Sequence, residues 1–302
     1  MCMNKLILDE KKIRKGNPIG LPYVGSKKKI SKKIIEIIKQ NFDIEGKVIY
    51  DVFGGGGAIT LECIINGLPV VYNDLDKSVV AMFTRAISGN REWLKTLIIS
   101  REEFFEIRDK NNKTIDDNLK LLMNSFGNNR QTYMYSKEYS DLKFNLAKDI
   151  IKNHDLFVGY KQTDTYKKAC ITCSNKELQH IKRVEQLARM QQLERLQQLE
   201  EKKSIIDITI KEYIDFSNIK NSILYLDPPY ENSENMYING SFDSKEFYDW
   251  AFEMSKNNVV IISSYEVSDK RFESFYDFGN IKTIFSGKGT AGTRTEKLFM
   301  VK

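Results

Sequence analysis

The first ninety residues alternate between runs typical of buried strands and runs typical of amphipathic helices. Isoleucines recur at helical spacing opposite a lysine face in 26–40, and short apolar, β-branched runs at 47–53 and 69–76 predict buried strands. A helical pattern follows each strand, and four consecutive glycines separate the first strand from its helix. This order predicts a βαβ unit, which begins a doubly wound parallel sheet.

Strand patterns return near the carboxyl end. The runs 223–229 and 257–266 predict buried strands on either side of a helix, and two further β runs flank a glycine-rich turn at 286–293. From about residue 90 to 210 helical stretches dominate, and the polar segment 125–145 has no clean period. We therefore expect an α/β fold in which a mostly parallel sheet is interrupted by an inserted, mainly helical region.

This pattern predicts the domain boundaries. Residues 1–90 and 211–302 form the sheet domain, and 91–210 form the insertion. Within the insertion, 176–203 carries an apolar residue at every third position. A strict period of three winds around an α-helix, so we expect a helix or helix pair packed on the insertion rather than a coiled-coil seam. A self-association surface is the alternative.

Composition and charge narrow the function classes. The chain has 302 residues, of which 41% are apolar and 29% charged, so a packed core is expected. No apolar run suits a membrane span, no secretion signal is recognisable, and four cysteines are too few for a disulfide scaffold, which favours a cytoplasmic protein. Residues 1–40 carry a local charge of +8, so the rest sum to −2. This distribution suits a polyanionic partner, although a solvated terminus is the simpler alternative.

The first candidate site is the segment from Asp51 to Gly57. Glycines directly after a buried strand allow a tight turn and close approach of a ligand, and the following helix points its free N–H groups at that ligand. Asp74 ends the next strand, where an acid can accept both hydroxyls of a ribose. Because the strict GxGxxG pattern is absent, a plain tight turn is the alternative.

The second candidate site is the tetrapeptide from Asp227 to Tyr230. Two prolines remove two backbone donors and end the strand rigidly, which holds an acid and an aromatic ring at the carboxyl edge of the sheet. Open α/β folds bind ligands at this edge. The alternative is a strand-terminating turn with an incidental acid.

The FGGGG, NDLD and DPPY motifs, in this order, resemble the Dam-type (D12 class) DNA adenine-N6 methyltransferases. Tyr23-Val24-Gly25-Ser26-Lys27 looks like the opening motif of that family, and RTEKLF resembles its closing hairpin. The resemblance implies a Rossmann-like methyltransferase sheet, S-adenosyl-L-methionine as cofactor, no metal, and transfer of a methyl group to N6 of an adenine flipped out of double-stranded DNA.

The resemblance also implies roles for individual residues. Those that match its catalytic motif are Asp227, Pro228, Pro229 and Tyr230. Those that match its cofactor contacts are Tyr23, Lys27, Asp51, Phe53, Gly54, Gly56, Asp74 and, again, Asp227. Asp227 would accept a hydrogen bond from the target amino group, and Tyr230 would stack on the extruded base. The sequence departs from the family in its run of four glycines and in Tyr23, where tryptophan is common.

Target reading is expected in the insertion. The polar segment offers base-edge and phosphate donors with aromatic residues between them, and the chosen contacts are Asn129, Arg130, Tyr133 and Lys137, with Arg130 first. A surface hairpin with solvated polar tips is the alternative.

Other functions stay open at this stage. A pocket of the DPPY type suits any planar exocyclic amine, so cytosine N4 or an RNA base is an alternative substrate, and a DNA-binding module with a vestigial cofactor site is a further one. Cys170, Cys173, His154 and His180 lack the spacing of a zinc site. We expect a bacterial or phage-encoded protein that is a monomer or weak dimer, with a cognate restriction endonuclease as a candidate partner.

Overall fold

The computed structural model describes residues 5–23, 25–153, 159–197, 199, 206–231, 242–280 and 295–302. Its internal contacts divide the chain into two compact units. The first comprises Met1–Pro18, Lys27–Val80 and Lys202–Lys302. The second comprises Ile19–Ser26 and Ala81–Glu201.

The first unit contains a seven-stranded sheet. Its strands are β1 (Ile49–Asp51), β2 (Val70–Asn73), β3 (Ile206–Thr209), β4 (Ile223–Leu226), β5 (Val259–Ser264), β6 (Phe272–Asn280) and β7 (Thr295–Val301). They lie side by side in the order β3-β2-β1-β4-β5-β7-β6. Strand β7 is antiparallel to both of its neighbours, and the other pairings are parallel. The expected mostly parallel α/β fold is confirmed.

Helices α1 (Ser31–Asn41), α2 (Ala58–Ile65) and α11 (Ser244–Ser255) belong to this unit. Strand β4 is buried at every position, as expected of a central parallel strand covered on both faces. Leu224 and Leu226 of β4 pack with Ile262 of β5 against Phe247 and Trp250 of α11. This apolar layer fixes the strand ends from which the candidate catalytic side chains project.

The sheet contains one strand that the sequence analysis assigns to the insertion. Residues 206–209 form β3, which pairs in parallel with β2, although the expected insertion extends to residue 210. The segment is short and only partly buried, because β3 is the outermost strand of the sheet on this side. It therefore lacks the continuous apolar run that identified β1, β2, β4 and β5.

The two β runs predicted near the carboxyl end are both strands of the sheet. Strands β6 and β7 are antiparallel neighbours, as two runs joined by a turn predict. The predicted glycine-rich turn at 286–293 lies outside the described residues.

The second unit is helical. Its helices are α4 (Arg91–Thr96), α5 (Arg101–Asp109), α6 (Ile115–Asn124), α7 (Ser140–Asn153), α8 (Asp164–Thr172), α9 (Asn175–Ile181) and α10 (Glu185–Gln197). Helix α3 (Lys77–Ser88) begins in the first unit and continues into the second.

Helices α9 and α10 form the described part of the segment with period three. In α10 the residues Leu187, Met190, Leu193 and Leu196 are all fully buried. Each step of three residues falls ~60° short of a full turn, so the four side chains spread over about half of the helix circumference. The period arises because α10 is enclosed by its neighbours over a wide arc, which leaves these side chains inside the unit.

Candidate active site

Three acidic residues lie at the carboxyl ends of adjacent strands, on one side of the sheet. In β1 Asp51 is the last residue and lies opposite Tyr72 of β2 and Tyr225 of β4. Asp74 comes directly after β2, and Asp227 directly after β4. Since the carboxyl ends of parallel strands meet at the same edge, the fold brings the glycine turn and the DPPY motif together.

The glycine turn is held against β2. Gly55 and Gly57 have positive φ angles of 48° and 70°, which glycine adopts readily. Gly54 lies against the ring of Tyr72, so that a Cβ at this position would overlap the ring. The Tyr72 hydroxyl donates to the Gly55 carbonyl at 2.8 Å. Gly56 lies buried inside the same turn, which leads into α2.

Asp74 binds two backbone amides, that of Gly55 in the glycine turn and that of Asp76. Its Oδ2 accepts from the Gly55 amide at 2.8 Å and its Oδ1 from the Asp76 amide at 2.9 Å. Burial raises the pKa of Asp74, and these amide bonds oppose that rise. Leu75, which the sequence analysis passed over, is an exposed apolar residue between the two acids and can pack on a planar ring.

Asp51 is buried beneath the turn. Its Oδ2 accepts from the Thr60 amide at 3.1 Å and from the Thr60 hydroxyl at 2.6 Å. Burial raises the pKa of Asp51 to about 7 against the lowering effect of these bonds, and the charges of Asp227 and Asp74 add to the rise. The three carboxylates are therefore close enough to interact electrostatically.

Phe53 packs in an aromatic cluster next to the turn. Its ring centroid lies 5.8 Å from that of Phe247, and 6.3 Å from those of Tyr213 and Phe242. The side chain is partly exposed. Phe53 therefore supports the turn and retains a surface that a ligand can touch.

Asp227 is paired with the buried ammonium group of Lys27. The Lys27 Nζ donates to Asp227 Oδ1 at 2.7 Å and to the Tyr230 hydroxyl at 2.8 Å. Burial alone would lower the pKa of Lys27, but Asp227 and Glu296 raise it, so the net shift is upward and the ammonium keeps its charge. Pro228 is buried and Pro229 is half-buried.

Glu296 completes the cluster from β7. It is 5% exposed, and its Oε1 accepts from the Ser263 hydroxyl at 2.8 Å. Its Oε2 accepts from the Tyr230 hydroxyl at 3.2 Å, and its Oε1 lies 3.6 Å from Lys27 Nζ. The sequence predicts this segment only as a strand of a hairpin. The signal for Glu296 is an acid at a buried position of a strand whose other buried positions are all apolar.

These charges set the state of Asp227. The pKa of Asp227 is raised to about 6, because burial and the charge of Glu296 raise it by more than the charge of Lys27 lowers it. The Tyr230 ring is held on one side by Tyr265, whose ring centroid lies 4.4 Å away. The result is an acceptor carboxylate and a fixed aromatic ring next to the glycine turn.

The other predicted site residues belong to the second unit. Tyr23 is half-buried there, and its carbonyl accepts from the Ser26 amide at 3.4 Å. Three of the predicted DNA contacts, Asn129, Arg130 and Tyr133, lie on a hairpin in which Ser125 and Tyr133 form an antiparallel bridge, and Lys137 follows this hairpin.

The hairpin exposes only part of the predicted contact set. Asn129 and Lys137 are exposed, and Arg130 is half-exposed in a left-handed conformation with φ 57°. Tyr133, in contrast, is 3% exposed and donates its hydroxyl to the Ile99 carbonyl at 3.0 Å. The prediction that Tyr133 contacts DNA is corrected, because its ring is part of the core.

Two polar side chains of α10 support the base of this hairpin. The Gln186 Nε2 donates to Asn124 Oδ1 at 2.6 Å and to the Ile99 carbonyl at 3.0 Å. The Arg189 Nη1 donates to the carbonyls of Leu122 and Ser125 at 2.9 and 3.0 Å. Buried polar networks of this kind fix one arrangement of the backbone.

Two negative findings concern the described residues. They include no group of three or more His, Cys, Asp or Glu side chains placed to hold a metal ion. None of the helices in this part of the chain is both long and apolar enough to cross a membrane. His154 lies outside the described residues.

The chain is similar to known proteins at two levels, a solved structure and a protein family. No curated protein matches the chain. The rRNA methyltransferase AviRa from Streptomyces viridochromogenes aligns over 96% of this chain and 92% of its own, at 9% identity and a TM-score of 0.36. The family model of the D12 class N6 adenine-specific DNA methyltransferases matches residues 23–284. This match covers most of the chain, which therefore belongs to the D12 class N6 adenine-specific DNA methyltransferase family.

Proposed function

We propose that the chain is a site-specific DNA methyltransferase that transfers the methyl group of S-adenosyl-L-methionine to N6 of an adenine flipped out of double-stranded DNA. One observation carries the proposal beyond the family: Asp227 already accepts a hydrogen bond from a nitrogen donor, Lys27, at a rigid strand end beside the glycine turn. A carboxylate at this place can accept from the target amino group in the same way.

The first unit contains residues that fit the cofactor. Asp74 has carboxylate lone pairs that can accept from ribose hydroxyls besides those that accept from the two amides. Leu75 offers an apolar surface for a purine ring. Gly54 lies so close to the Tyr72 ring that this position of the turn has no room for a side chain. When bound, the cofactor supplies a methyl group that is activated by the sulfonium centre.

In the proposed reaction the protein has to align the amino group with the methyl group and allow a proton to leave. Adenine N6 is a poor nucleophile because its lone pair is delocalised into the ring. Hydrogen bonds to Asp227 Oδ and to the Pro228 carbonyl would draw the nitrogen toward tetrahedral geometry and direct the lone pair at the methyl group. In the proposed transfer, the N6 lone pair would form the new C–N bond as the bond between the methyl group and sulfur breaks. The sulfur would keep that electron pair as a neutral thioether, and N6 would then release one proton to water. Orientation of two reactants supplies much of the rate in transfers of this kind.

Substrate access and target reading complete the proposal. A base within a duplex cannot reach a pocket at a strand end, so we propose extrusion, with stacking on Tyr230. Asn129, Arg130 and Lys137 are the proposed DNA contacts, since all three are at least partly exposed. A DNA substrate would place the protein in the cytoplasm of a bacterium or of a cell infected by a phage.

The test combines binding and product analysis. Calorimetry with S-adenosyl-L-methionine is expected to show one binding site. Transfer of tritiated methyl to unmethylated plasmid DNA, followed by nucleoside analysis, is expected to yield N6-methyldeoxyadenosine. Label found on N4-methyldeoxycytidine, or on RNA only, would show that the substrate is cytosine or RNA and not adenine in DNA. If the protein did not bind the cofactor, a DNA-binding module would be favoured.

A pair of variants tests the role of Asp227. Asp227→Asn keeps the shape but removes the anionic acceptor, so we expect a loss of roughly a hundredfold or more in transfer rate, as for misaligned reactants. Cofactor affinity is expected to stay near that of the wild type. The matched control is Asp207→Asn, an exposed acid on the edge strand β3. Full turnover in Asp227→Asn would refute the assigned role.

A further inference from the structure

The Lys27 ammonium occupies the position on Asp227 that the proposed function assigns to the target amino group. Both are nitrogen donors, and Lys27 Nζ lies 2.7 Å from Asp227 Oδ1, the spacing of a charge-assisted hydrogen bond. An incoming amino group must therefore share this carboxylate with Lys27 or displace the lysine from it. The inference below rests on the proposed function and concerns where Lys27 goes.

A second anionic partner is already beside the ammonium. Glu296 Oε1 lies 3.6 Å from Lys27 Nζ, too long for a hydrogen bond but within ion-pair distance. A short movement of a flexible lysine side chain would turn this contact into a bond. The ammonium thus has two carboxylates within reach and bonds to one of them.

Hydrogen bonds hold the Glu296 carboxylate in a position where it can accept from the ammonium group. It is buried, and its two oxygens accept from Ser263 and Tyr230 at 2.8 and 3.2 Å. A buried carboxylate is costly unless it is paired, so the fold retains this charge only with a cation close by. Among the described residues, Lys27 is the cation that forms an ion pair with it.

We propose that Glu296 is a positioning residue that receives the Lys27 ammonium when the target amino group takes its place on Asp227. The exchange breaks one hydrogen bond to Asp227 and forms one to Glu296, so the lysine stays paired throughout. The Tyr230 hydroxyl accepts from Lys27 and donates to Glu296, and it therefore links the exchange to the ring proposed to stack on the base.

The exchange has an electrostatic signature. The charge of Glu296 raises the pKa of Asp227, and the charge of Lys27 lowers it. Neutralising Glu296 removes the upward influence and leaves Lys27 on Asp227, so the pKa of Asp227 falls. The titratable groups around Asp227 are Lys27, Asp51, Tyr225, Tyr230 and Glu296. Both tyrosines have pKa values raised by burial and stay neutral in the range of the test.

The decisive variant is Glu296→Gln, which keeps a side-chain oxygen and amide for Ser263 and Tyr230 but removes the charge. We expect the single-turnover transfer rate on unmethylated plasmid DNA to fall at least tenfold. In a plot of this rate against pH, the fall at low pH (the acid limb) should shift to lower pH. The affinity for the cofactor should stay within twofold of the wild type. A packing defect would reduce the rate without moving the acid limb.

Two further variants make the test independent of folding defects. Glu296→Asp keeps the charge but withdraws the carboxylate, so the rate is expected to fall while the acid limb stays near that of the wild type. The matched control is Glu194→Gln, a buried acid paired with Arg91 at 2.7 Å in the second unit, which is expected to leave the acid limb in place.

Adding Glu296→Gln to Lys27→Met tests whether Glu296 acts through the lysine. We expect little further loss, because the ammonium that Glu296 would receive is absent. The inference would be overturned if the losses in the double variant were additive, or if the acid limb of Glu296→Gln did not move. The proposed function would still stand in that case, as long as the wild-type protein transfers methyl groups to adenine. A wild-type protein that methylates no adenine would instead refute the proposed function itself.

Discussion

Replacing Gly54 by alanine is expected to damage the glycine turn through one defined clash. The added methyl group would overlap Cδ2 and Cε2 of the Tyr72 ring and would lie 3.0 Å from the Asn73 carbonyl oxygen. Carbon atoms pack at ~3.5–4.0 Å, so the ring or the turn must move.

Neither side can move cheaply. Tyr72 is fully buried, and its hydroxyl bonds to Gly55 of the same turn at 2.8 Å. Overpacking a buried site costs about 1–3 kcal/mol. Loss of the hydroxyl bond adds about 1 kcal/mol. We therefore expect Gly54→Ala to lower the free energy of unfolding by about 2–4 kcal/mol in total, and to weaken cofactor binding because the displaced turn lies next to Asp74.

Urea denaturation measures the first effect and calorimetry the second. The control is Gly67→Ala, where φ is 72° but the new methyl group meets nothing within 4 Å. It should cost only about 1–2 kcal/mol of backbone strain and leave cofactor affinity unchanged. Adding Tyr72→Leu should relieve part of the Gly54→Ala penalty, since the leucine removes the ring that causes it. Strictly additive losses, or a Gly54→Ala variant as stable as Gly67→Ala, would refute the reasoning.

Three further outcomes are expected. The transfer rate should fall as the pH is lowered through about 6, because the pKa of Asp227 is raised to that value and the neutral carboxyl is a weaker acceptor for an amino group than the carboxylate; a level rate across that range would contradict this. Replacing Lys28 and Lys29 by alanine should flatten the salt dependence of DNA binding by ~0.9 for each lost phosphate contact, and an unchanged slope would show that neither lysine touches phosphate. Gln186→Leu should lower the free energy of unfolding by about 1–3 kcal/mol, because it leaves the buried Asn124 oxygen without its donor; wild-type stability in urea would argue against the network.

The sequence was sufficient for the order of strands and helices around the candidate active site. The runs that became β1, β2, β4 and β5 are apolar and β-branched, and the glycines and prolines that follow β1 and β4 mark their ends. These are local signals, each contained in fewer than ten residues. Because parallel strands place their carboxyl ends at one edge, local signals alone predict that Asp51, Asp74 and Asp227 come together.

Side-chain environments that depend on distant partners could not be predicted in this way. Tyr133 lies in a polar segment that is typical of an exposed hairpin, and its burial depends on Ile99 and Gln186, far away in the chain. Strand β3 lacked an apolar run because an edge strand is only partly covered. Local composition carries no information about such partners.

The candidate active site shows the same division. The sequence by itself determined which motifs stand at the sheet edge: a glycine turn, an acid after β2, and an acid and ring after β4. Only the tertiary structure decided that Lys27, within a run of lysines typical of a solvated surface, is buried between Asp227 and Glu296. The reason is physical. Burying an ammonium group is favourable only where carboxylates converge on it, and these come from strand ends that only folding brings together.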